Sequence, residues 1–202
     1  MTTTPAGTNG ALAPFERFMA TVRRACGTPE GRVILRQALT DNLENPWQLY
    51  TVLLPAGGIP IRDDTPEHLR QQAEHPFLLA AVLYAVHDAP NPRRTDNRPL
   101  TIPTPKPAQT WENIGWSLAR ATHTGMRRET ATGALSHLCA LEYDDLIREL
   151  PATISMLRSG GAPVRWAVLA RDLTRYQRWP ADVRIDWARS YTTPATSKEN
   201  TK

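Results

Sequence analysis

The sequence lacks most of the features that mark secreted and membrane-spanning proteins. Its 202 residues include only two cysteines, Cys26 and Cys139, which form neither a CxxC pair nor a disulfide framework. The chain does not open with a charged start followed by an apolar stretch, so we expect no signal peptide. The longest apolar run, residues 77–86, is about half the length that a membrane span needs. These absences predict a soluble, cytoplasmic protein without a membrane partner.

Signatures of catalysis and metal binding are also missing. The five histidines form neither an HExxH pair nor a Cys/His quartet at zinc spacing. The chain contains no GxSxG nucleophile motif and no Walker-type phosphate loop. The acidic group at 142–145 fits a helix N-terminus, where carboxylates stabilise the helix dipole. The sequence therefore predicts a protein with no enzymatic activity, no metal and no cofactor.

Helical periodicity fills most of the chain between two polar tails. Apolar residues recur at helical spacing, and no convincing alternating strand is present. The tails, residues 1–13 and 193–202, are rich in Thr, Pro, Gly and Ser and are predicted to be disordered. A proline-rich basic linker at 89–109 separates helices at 14–88 from helices at 110–192. We predict an all-α protein of two small helical bundles joined by this proline-rich basic loop.

Positive charge is concentrated near the C-terminus. The formal net charge of the chain is +4. Between Arg158 and Arg189, seven arginines oppose three aspartates, so this short stretch holds an excess equal to the whole net charge. A local excess of this kind is typical of a protein with a polyanionic partner.

The strongest candidate site is a stripe of arginines on one predicted helix. Its apolar face consists of Trp166, Leu169, Leu173 and Tyr176, at the spacing of a buried stripe. On the opposite side, at i, i+4 and i+7, lie Arg171, Arg175 and Arg178. Three guanidinium groups on adjacent turns repel one another unless an anion lies across them. We predict that this stripe faces solvent and binds an anion.

Two arginine pairs are further candidates. Arg32 and Arg36 are one turn apart on an early helix, and Arg127 and Arg128 are placed at a helix start. A helix N-terminus is an unfavourable place for cations, which favours a ligand at the second pair. Taken singly, each pair also fits an ordinary solvated surface.

The C-terminal half resembles the CasB family, the small subunit of the type I-E CRISPR surveillance complex called Cascade. The resemblance covers about residues 113–193 and rests on the order and spacing of its elements. These are Ile114-Gly115, Gly125 followed by Arg127 and Arg128, a Leu-rich stretch at 135–150, and the Trp166, Leu169, Leu173, Tyr176 pattern. A weaker match is "ILRQAL" at 34–39.

The resemblance implies a two-bundle helical protein that has no catalytic activity. In that family, two copies line the inside of Cascade beside the CRISPR RNA and hold the displaced DNA strand when the guide pairs with its target. It therefore implies these partners: CRISPR RNA, the target strand, the displaced strand, the backbone and large Cascade subunits, and a second copy of the chain. The anion opposite the arginines would be phosphate, contacted without base readout.

Two departures from the family pattern concern the candidate sites. An arginine pair of the family is replaced by Ala131-Thr132-Gly133, so Arg127 and Arg128 would take over its contact. Gln37 stands at the second basic position of the early helix, which leaves Arg36 to act with Arg32.

Two other classes of protein stay open at this stage. A helix-turn-helix regulator is also helical and basic, but it needs base-reading side chains such as Asn or Gln on an exposed helix. A hydrolase would need a catalytic constellation that the sequence does not offer. Trp179 and Trp187 are candidates for subunit contacts, although burial within a bundle suits either residue better.

Overall fold

The computed structural model describes residues 9–40, 43, 46–87 and 109–193, which form nine α-helices and no strand. The helices are α1 (Asn9–Cys26), α2 (Pro29–Thr40), α3 (Trp47–Ala56), α4 (Glu67–His87), α5 (Ile114–His123), α6 (Arg128–Ala140), α7 (Tyr143–Ser159), α8 (Trp166–Tyr176) and α9 (Pro180–Thr192). The predicted all-α class is confirmed. Within the described ranges, no helix is long and apolar enough to cross a membrane. Most of the predicted linker and of the predicted C-terminal tail lies outside those ranges.

The first helix begins earlier than the composition predicts. The polar composition predicts a tail as far as residue 13, whereas α1 starts at Asn9. Leu12 and Met19 are seven residues apart, which places them on one helical face, and both are buried. Leu12 therefore belongs to the core, although the sequence around it is rich in Thr and Gly.

Helix α8 lies in the middle of the molecule. Its predicted apolar stripe is confirmed, because Trp166, Leu169, Leu173 and Tyr176 are all buried. It packs against α1 and α4 from the N-terminal half and against α9 from the C-terminal half. The buried residues of the two predicted bundles therefore form one continuous apolar core.

Helix α8 runs antiparallel to α4. Trp166 at its start meets Tyr84 edge to face, with ring centroids 5.7 Å apart. Beyond its other end, Nε2 of Gln177 donates to the backbone carbonyl of Gln72 at 3.1 Å. That carbonyl lacks its usual helical donor because Pro76, four residues later, has no N–H. The side chain of Gln177 thus compensates for the proline inside α4.

Helices α5 and α9 approach each other very closely. Asn113 caps α5 by accepting a hydrogen bond from the backbone N–H of Trp116 at 3.2 Å. Its side-chain amide also donates to Ser190 Oγ on α9 at 2.9 Å. Close to this hydrogen bond, Gly115 of α5 lies directly against the backbone of Trp187 of α9. A side chain at position 115 would force the two helices apart.

Candidate nucleic-acid interface

The first arginine of the predicted stripe, Arg171, is buried. Only 8% of the residue is exposed. Its Nε donates to Oδ1 of the adjacent Asp172 at 2.9 Å, and Nη2 donates to the same oxygen. Nη2 also donates to the backbone carbonyl of Thr110 at 2.9 Å, so the guanidinium links α8 to the segment that leads into α5. Arg171 therefore has its counter-charge inside the protein.

Asp172 is the centre of a buried polar network. Its second carboxylate oxygen, Oδ2, accepts a hydrogen bond from Nε1 of Trp187 on α9 at 2.8 Å. Burial raises the pKa of Asp172, and the neighbouring Arg171 guanidinium and the indole hydrogen bond oppose that rise. Because its polar atoms are satisfied by α8 and α9, the network fixes how these two helices pack.

The other two stripe arginines have different surroundings. Arg175 forms an ion pair with Asp186 of α9 at 2.8 Å, and both side chains are partly exposed. Arg178 is exposed and makes no ion pair with any described residue. The prediction that the three arginines share one solvent-facing stripe is therefore wrong. Arg171 and Arg175 lie on α8 and Arg178 lies two residues beyond its end. The carboxylate that pairs with Arg171 comes from Asp172 on the same helix and the one that pairs with Arg175 comes from Asp186 on α9, while Thr110 adds a carbonyl that accepts from Arg171.

The early pair, Arg32 and Arg36, is half-buried on α2. Nε of Arg36 donates to the carbonyl of Ala85 at 2.8 Å, in the last turn of α4. Arg158 from α7 donates to the carbonyl of His87 in the same turn. Basic side chains at a helix C-terminus satisfy its free carbonyls and stabilise its dipole, so part of the Arg36 guanidinium is used in capping α4.

The pair formed by Arg127 and Arg128 is exposed at the start of α6. Neither guanidinium forms an ion pair with a residue that the structure describes. The turn before it is opened by Gly125, whose φ of 109° favours glycine. Tyr191, at the end of α9, reaches the first turns of α6, since its hydroxyl lies 2.8 Å from Thr132 Oγ1. The pair therefore presents two cations to solvent next to the free N–H groups of a helix N-terminus.

A chain of contacts connects the two pairs. Arg36 and Arg158 both bind the last turn of α4, and α7 ends one residue after Arg158. Gly160, which follows the end of α7, accepts a hydrogen bond from Thr124, three residues before Arg127. Both pairs thus lie towards the end of the molecule where α4 and α7 finish. Arg178 lies towards the opposite end, beside the first turns of α4.

An aromatic and basic cluster at the start of α5 escaped the sequence analysis. Trp116 is buried, and the guanidinium carbons of Arg120 and Arg165 lie 5.9 and 5.8 Å from its ring centroid. Arg165 is also paired with Glu112 at 2.8 Å, whereas Arg120 is exposed. The i, i+4 spacing of Trp116 and Arg120 was a readable signal of this contact.

The chemistry that these surfaces offer is anion binding. Within the described ranges, no group of three or more His, Cys, Asp or Glu side chains could hold a metal ion. Burial raises the pKa of Cys26 to about 11, so this thiol stays protonated and is a poor nucleophile. Exposed guanidinium groups such as those of Arg127 and Arg128 are suited to bidentate binding of phosphate.

Comparison with known proteins gives one family and several similar folds. The family model described as CRISPR-associated protein Cse2 matches residues 19–191. A chain of a solved "CRISPR RNA-guided surveillance complex, pre-nicking" is 23% identical, with a TM-score of 0.68 over 89% of this chain and 92% of that one. Comparison with curated proteins finds no match.

Two further solved structures have similar folds. A CRISPR-associated protein of the Cse2 family from Thermus thermophilus is 18% identical, with a TM-score of 0.61 over 88% of this chain and 97% of that one. CasB from Thermobifida fusca is 19% identical, with a TM-score of 0.57 over 93% of this chain and 100% of that one.

Proposed function

The chain belongs to the Cse2 family of CRISPR-associated proteins, and we propose that it is a non-catalytic subunit of a CRISPR RNA-guided surveillance complex. The match to a chain of such a complex over 89% of this chain supports the proposal. In this role the chain contributes binding surfaces, while target recognition is delegated to base pairing by the CRISPR RNA. Its partners are then that RNA, both strands of the target DNA, the backbone and large subunits, and a second copy of the chain.

The observation that carries the nucleic-acid part of the proposal is the exposed pair Arg127 and Arg128. Both cations lack a described internal counter-charge and lie at a helix N-terminus, where backbone N–H groups also favour phosphate. Arg32 and Arg36 extend this surface towards α2, as half-buried residues with reduced freedom. Arg178 is a separate contact towards the other end of α8.

The remaining predicted site residues take lesser roles in this proposal. The guanidinium of Arg171 is enclosed with Asp172, so we assign it to packing rather than to phosphate binding. Arg175 would have to give up Asp186 before it could hold a phosphate. Either exchange costs more than using an arginine that is already free of internal anions.

Such a surface suits the displaced strand of an R-loop. That strand has arbitrary sequence, so it must be held by its phosphates rather than read by its bases. The exchange of a DNA duplex for an RNA–DNA duplex is nearly balanced in free energy. A few phosphate contacts to the displaced strand are therefore enough to favour the open state.

Because each phosphate contact is weak, the proposed function depends on assembly of the subunit into a larger complex. Non-specific phosphate contacts of this kind give dissociation constants of about 10⁻⁴–10⁻⁶ M. Two copies on one scaffold would raise the effective concentration and lengthen the basic track. Trp179, which is 54% exposed, is the candidate for a subunit contact. Trp187 is fully buried, in agreement with the interpretation that suited it better, and is not available for a subunit contact.

The helix-turn-helix alternative receives no support from α8. A regulator presents its reading helix to the major groove with polar side chains exposed. In α8, nine of the eleven residues are buried, including Arg171. Arg171 is enclosed, Arg175 is paired with Asp186, and Arg178 lies beyond the end of the helix, so α8 offers few polar side chains that could read bases.

Binding to two unrelated DNA sequences of equal length distinguishes the proposed subunit from a helix-turn-helix regulator. Binding is measured by mobility shift at several salt concentrations, with single-stranded and duplex forms of each sequence. We expect micromolar or weaker binding that differs by no more than a few-fold between the sequences and weakens steeply with salt. Tight binding to one sequence alone would support a regulator instead.

A further inference from the structure

A second surface combines an exposed aromatic ring with an exposed cation. Trp111, just before α5, is 50% exposed, and its ring packs edge to face on Trp116 with centroids 6.2 Å apart. Arg120, one turn further along α5 than Trp116, lies over the same indole and is exposed. Because both contact Trp116, one short stretch of a ligand can reach Trp111 and Arg120 together.

The charges of this cluster are unequally compensated. Arg165 contacts the Trp116 ring but is neutralised by Glu112, whose other carboxylate oxygen accepts from the backbone N–H of Gln109 at 2.8 Å. Arg120 forms no ion pair with a described residue. The cluster therefore keeps one uncompensated positive charge beside its exposed ring.

A third observation concerns the buried member of the cluster. The indole Nε1 of Trp116 is inaccessible to solvent and has no hydrogen-bond acceptor among the described residues. A buried donor without a partner costs about 1–3 kcal/mol, so native proteins rarely keep one without a use. The unsatisfied donor lies beneath the two exposed groups, and the uncompensated guanidinium of Arg120 above the same ring points to a ligand that carries negative charge.

Few ligands match a flat aromatic surface and a cation at once. An unpaired nucleotide does so, because its base stacks on an aromatic ring while its phosphate binds a guanidinium. A duplex does not, since its bases are already stacked and only its phosphates are exposed. An acidic peptide would use the cation but would leave the half-exposed indole without a planar partner.

We propose that Trp111 is a stacking platform for an unpaired nucleobase and that Arg120 binds the adjacent phosphate. The proposal rests on the proposed function and deepens it, because it gives the subunit a preference for single strands over duplexes. The platform lies on α5 and the segment before it, and it uses none of the arginines of the Arg127–Arg128 surface.

The test compares an intact single strand with an abasic strand of the same length, which keeps the phosphates and lacks the bases. Binding to the full chain is measured by fluorescence anisotropy. The wild type should bind the intact strand about 5- to 150-fold more tightly than the abasic strand, as one stacked base would give. Trp111→Leu should remove this difference, whereas Trp111→Tyr should retain most of it.

Two variants serve as controls. Trp47→Ala removes another exposed tryptophan, 61% exposed at the start of α3 and without a cation contact among the described residues, and should leave the difference unchanged. Arg120→Gln should weaken binding to both strands alike, because it removes a phosphate contact. Circular dichroism and thermal unfolding show whether each variant is folded.

Four results would overturn the proposal. Equal losses in Trp111→Leu and Trp47→Ala would mean that the platform is not specific. Unchanged preference in a folded Trp111→Leu variant would mean that the base stacks elsewhere or not at all. If the wild type binds neither strand, the nucleic-acid part of the proposed function fails as well; binding to both without preference removes only the stacking platform.

Discussion

A β-carbon placed on Gly115 would stand 1.9 Å from the backbone carbonyl oxygen of Trp187. Real atoms do not approach so closely, and the obstacle is backbone rather than a flexible side chain. The contact allows α5 to lie directly on α9, and it brings the buried indole of Trp187 to within 2.8 Å of the Asp172 carboxylate. The position of the Trp111–Arg120 platform and that of the Asp172 network therefore depend on one glycine.

Gly115→Ala should destabilise the protein by about 1–3 kcal/mol, because the helices must separate to accept the methyl group. The free energy of unfolding in urea measures the effect. Gly133→Ala is the matched control, since Gly133 lies within α6 and a β-carbon there would meet nothing within 4 Å. That change should stabilise the protein by about 0.5–1 kcal/mol through helix propensity. Equal effects of the two substitutions would contradict the close contact.

Arg171→Ala should be among the most destabilising single changes, at about 3–5 kcal/mol, because it leaves the Asp172 carboxylate buried without a cation. Arg178→Ala removes an equal charge from an exposed position just beyond α8 and should change the free energy of unfolding by no more than about 0.5 kcal/mol. Chemical unfolding of both variants at neutral pH tests the contrast. A near-zero effect at position 171 would mean that Arg171 is solvated surface, as the helical wheel alone predicted.

The free energy of unfolding of Arg171→Ala should depend on pH in a defined direction. Burial raises the pKa of Asp172, so the folded state binds a proton more readily than the unfolded state does. Stability from this group is then lost as pH rises through the folded pKa and regained as pH falls below it. Because Arg171→Ala removes a cation that opposes the rise, the variant should recover part of its lost stability on mild acidification, relative to wild type. If the stability lost in Arg171→Ala relative to wild type became larger on acidification, this prediction would be contradicted.

The helical class and the apolar face of α8 could be predicted because both depend on local spacing. Trp166, Leu169, Leu173 and Tyr176 are spaced by 3, 4 and 3 residues, which fixes a common face on any helix. The environment of the opposite face could not be predicted in this way. Whether the Arg171–Asp172 pair faces water or the interior depends on what packs against α8, here Trp187 of α9 and Thr110.

For the candidate site, the positions of the basic residues could be predicted from the sequence, but the solvent exposure of their side chains could not. Arg127 and Arg128 are exposed as predicted, because a helix start after a glycine turn is usually solvated. Arg36 is partly used in capping α4, which requires knowing that α2 crosses the end of that helix. Trp111 and Trp116 could have been noted from their spacing to Arg120, but their degree of exposure is a property of the folded chain.

The phosphate role of the exposed pair has a measurable signature in salt. Arg127→Ala with Arg128→Ala should reduce the slope of log affinity against log salt by about 1.4 for a single strand, if each residue neutralises one phosphate. Arg62→Ala with Arg148→Ala is the control, because it removes the same charge from exposed arginines that are paired with Asp64 and Asp145. An equal reduction of the slope in both double variants would indicate general charge attraction rather than a site.

The most direct test of the proposed function is R-loop formation by the reconstituted surveillance complex, with and without this subunit. We expect the complex without it to keep its CRISPR RNA but to hold target DNA open less stably, as followed by strand-specific footprinting of the displaced strand. The complex with the Arg127→Ala, Arg128→Ala subunit should assemble fully and show a smaller loss of the same kind, with the Arg62→Ala, Arg148→Ala subunit behaving as wild type. A complex that lacks the subunit and opens target DNA as stably as the complete one would contradict the account.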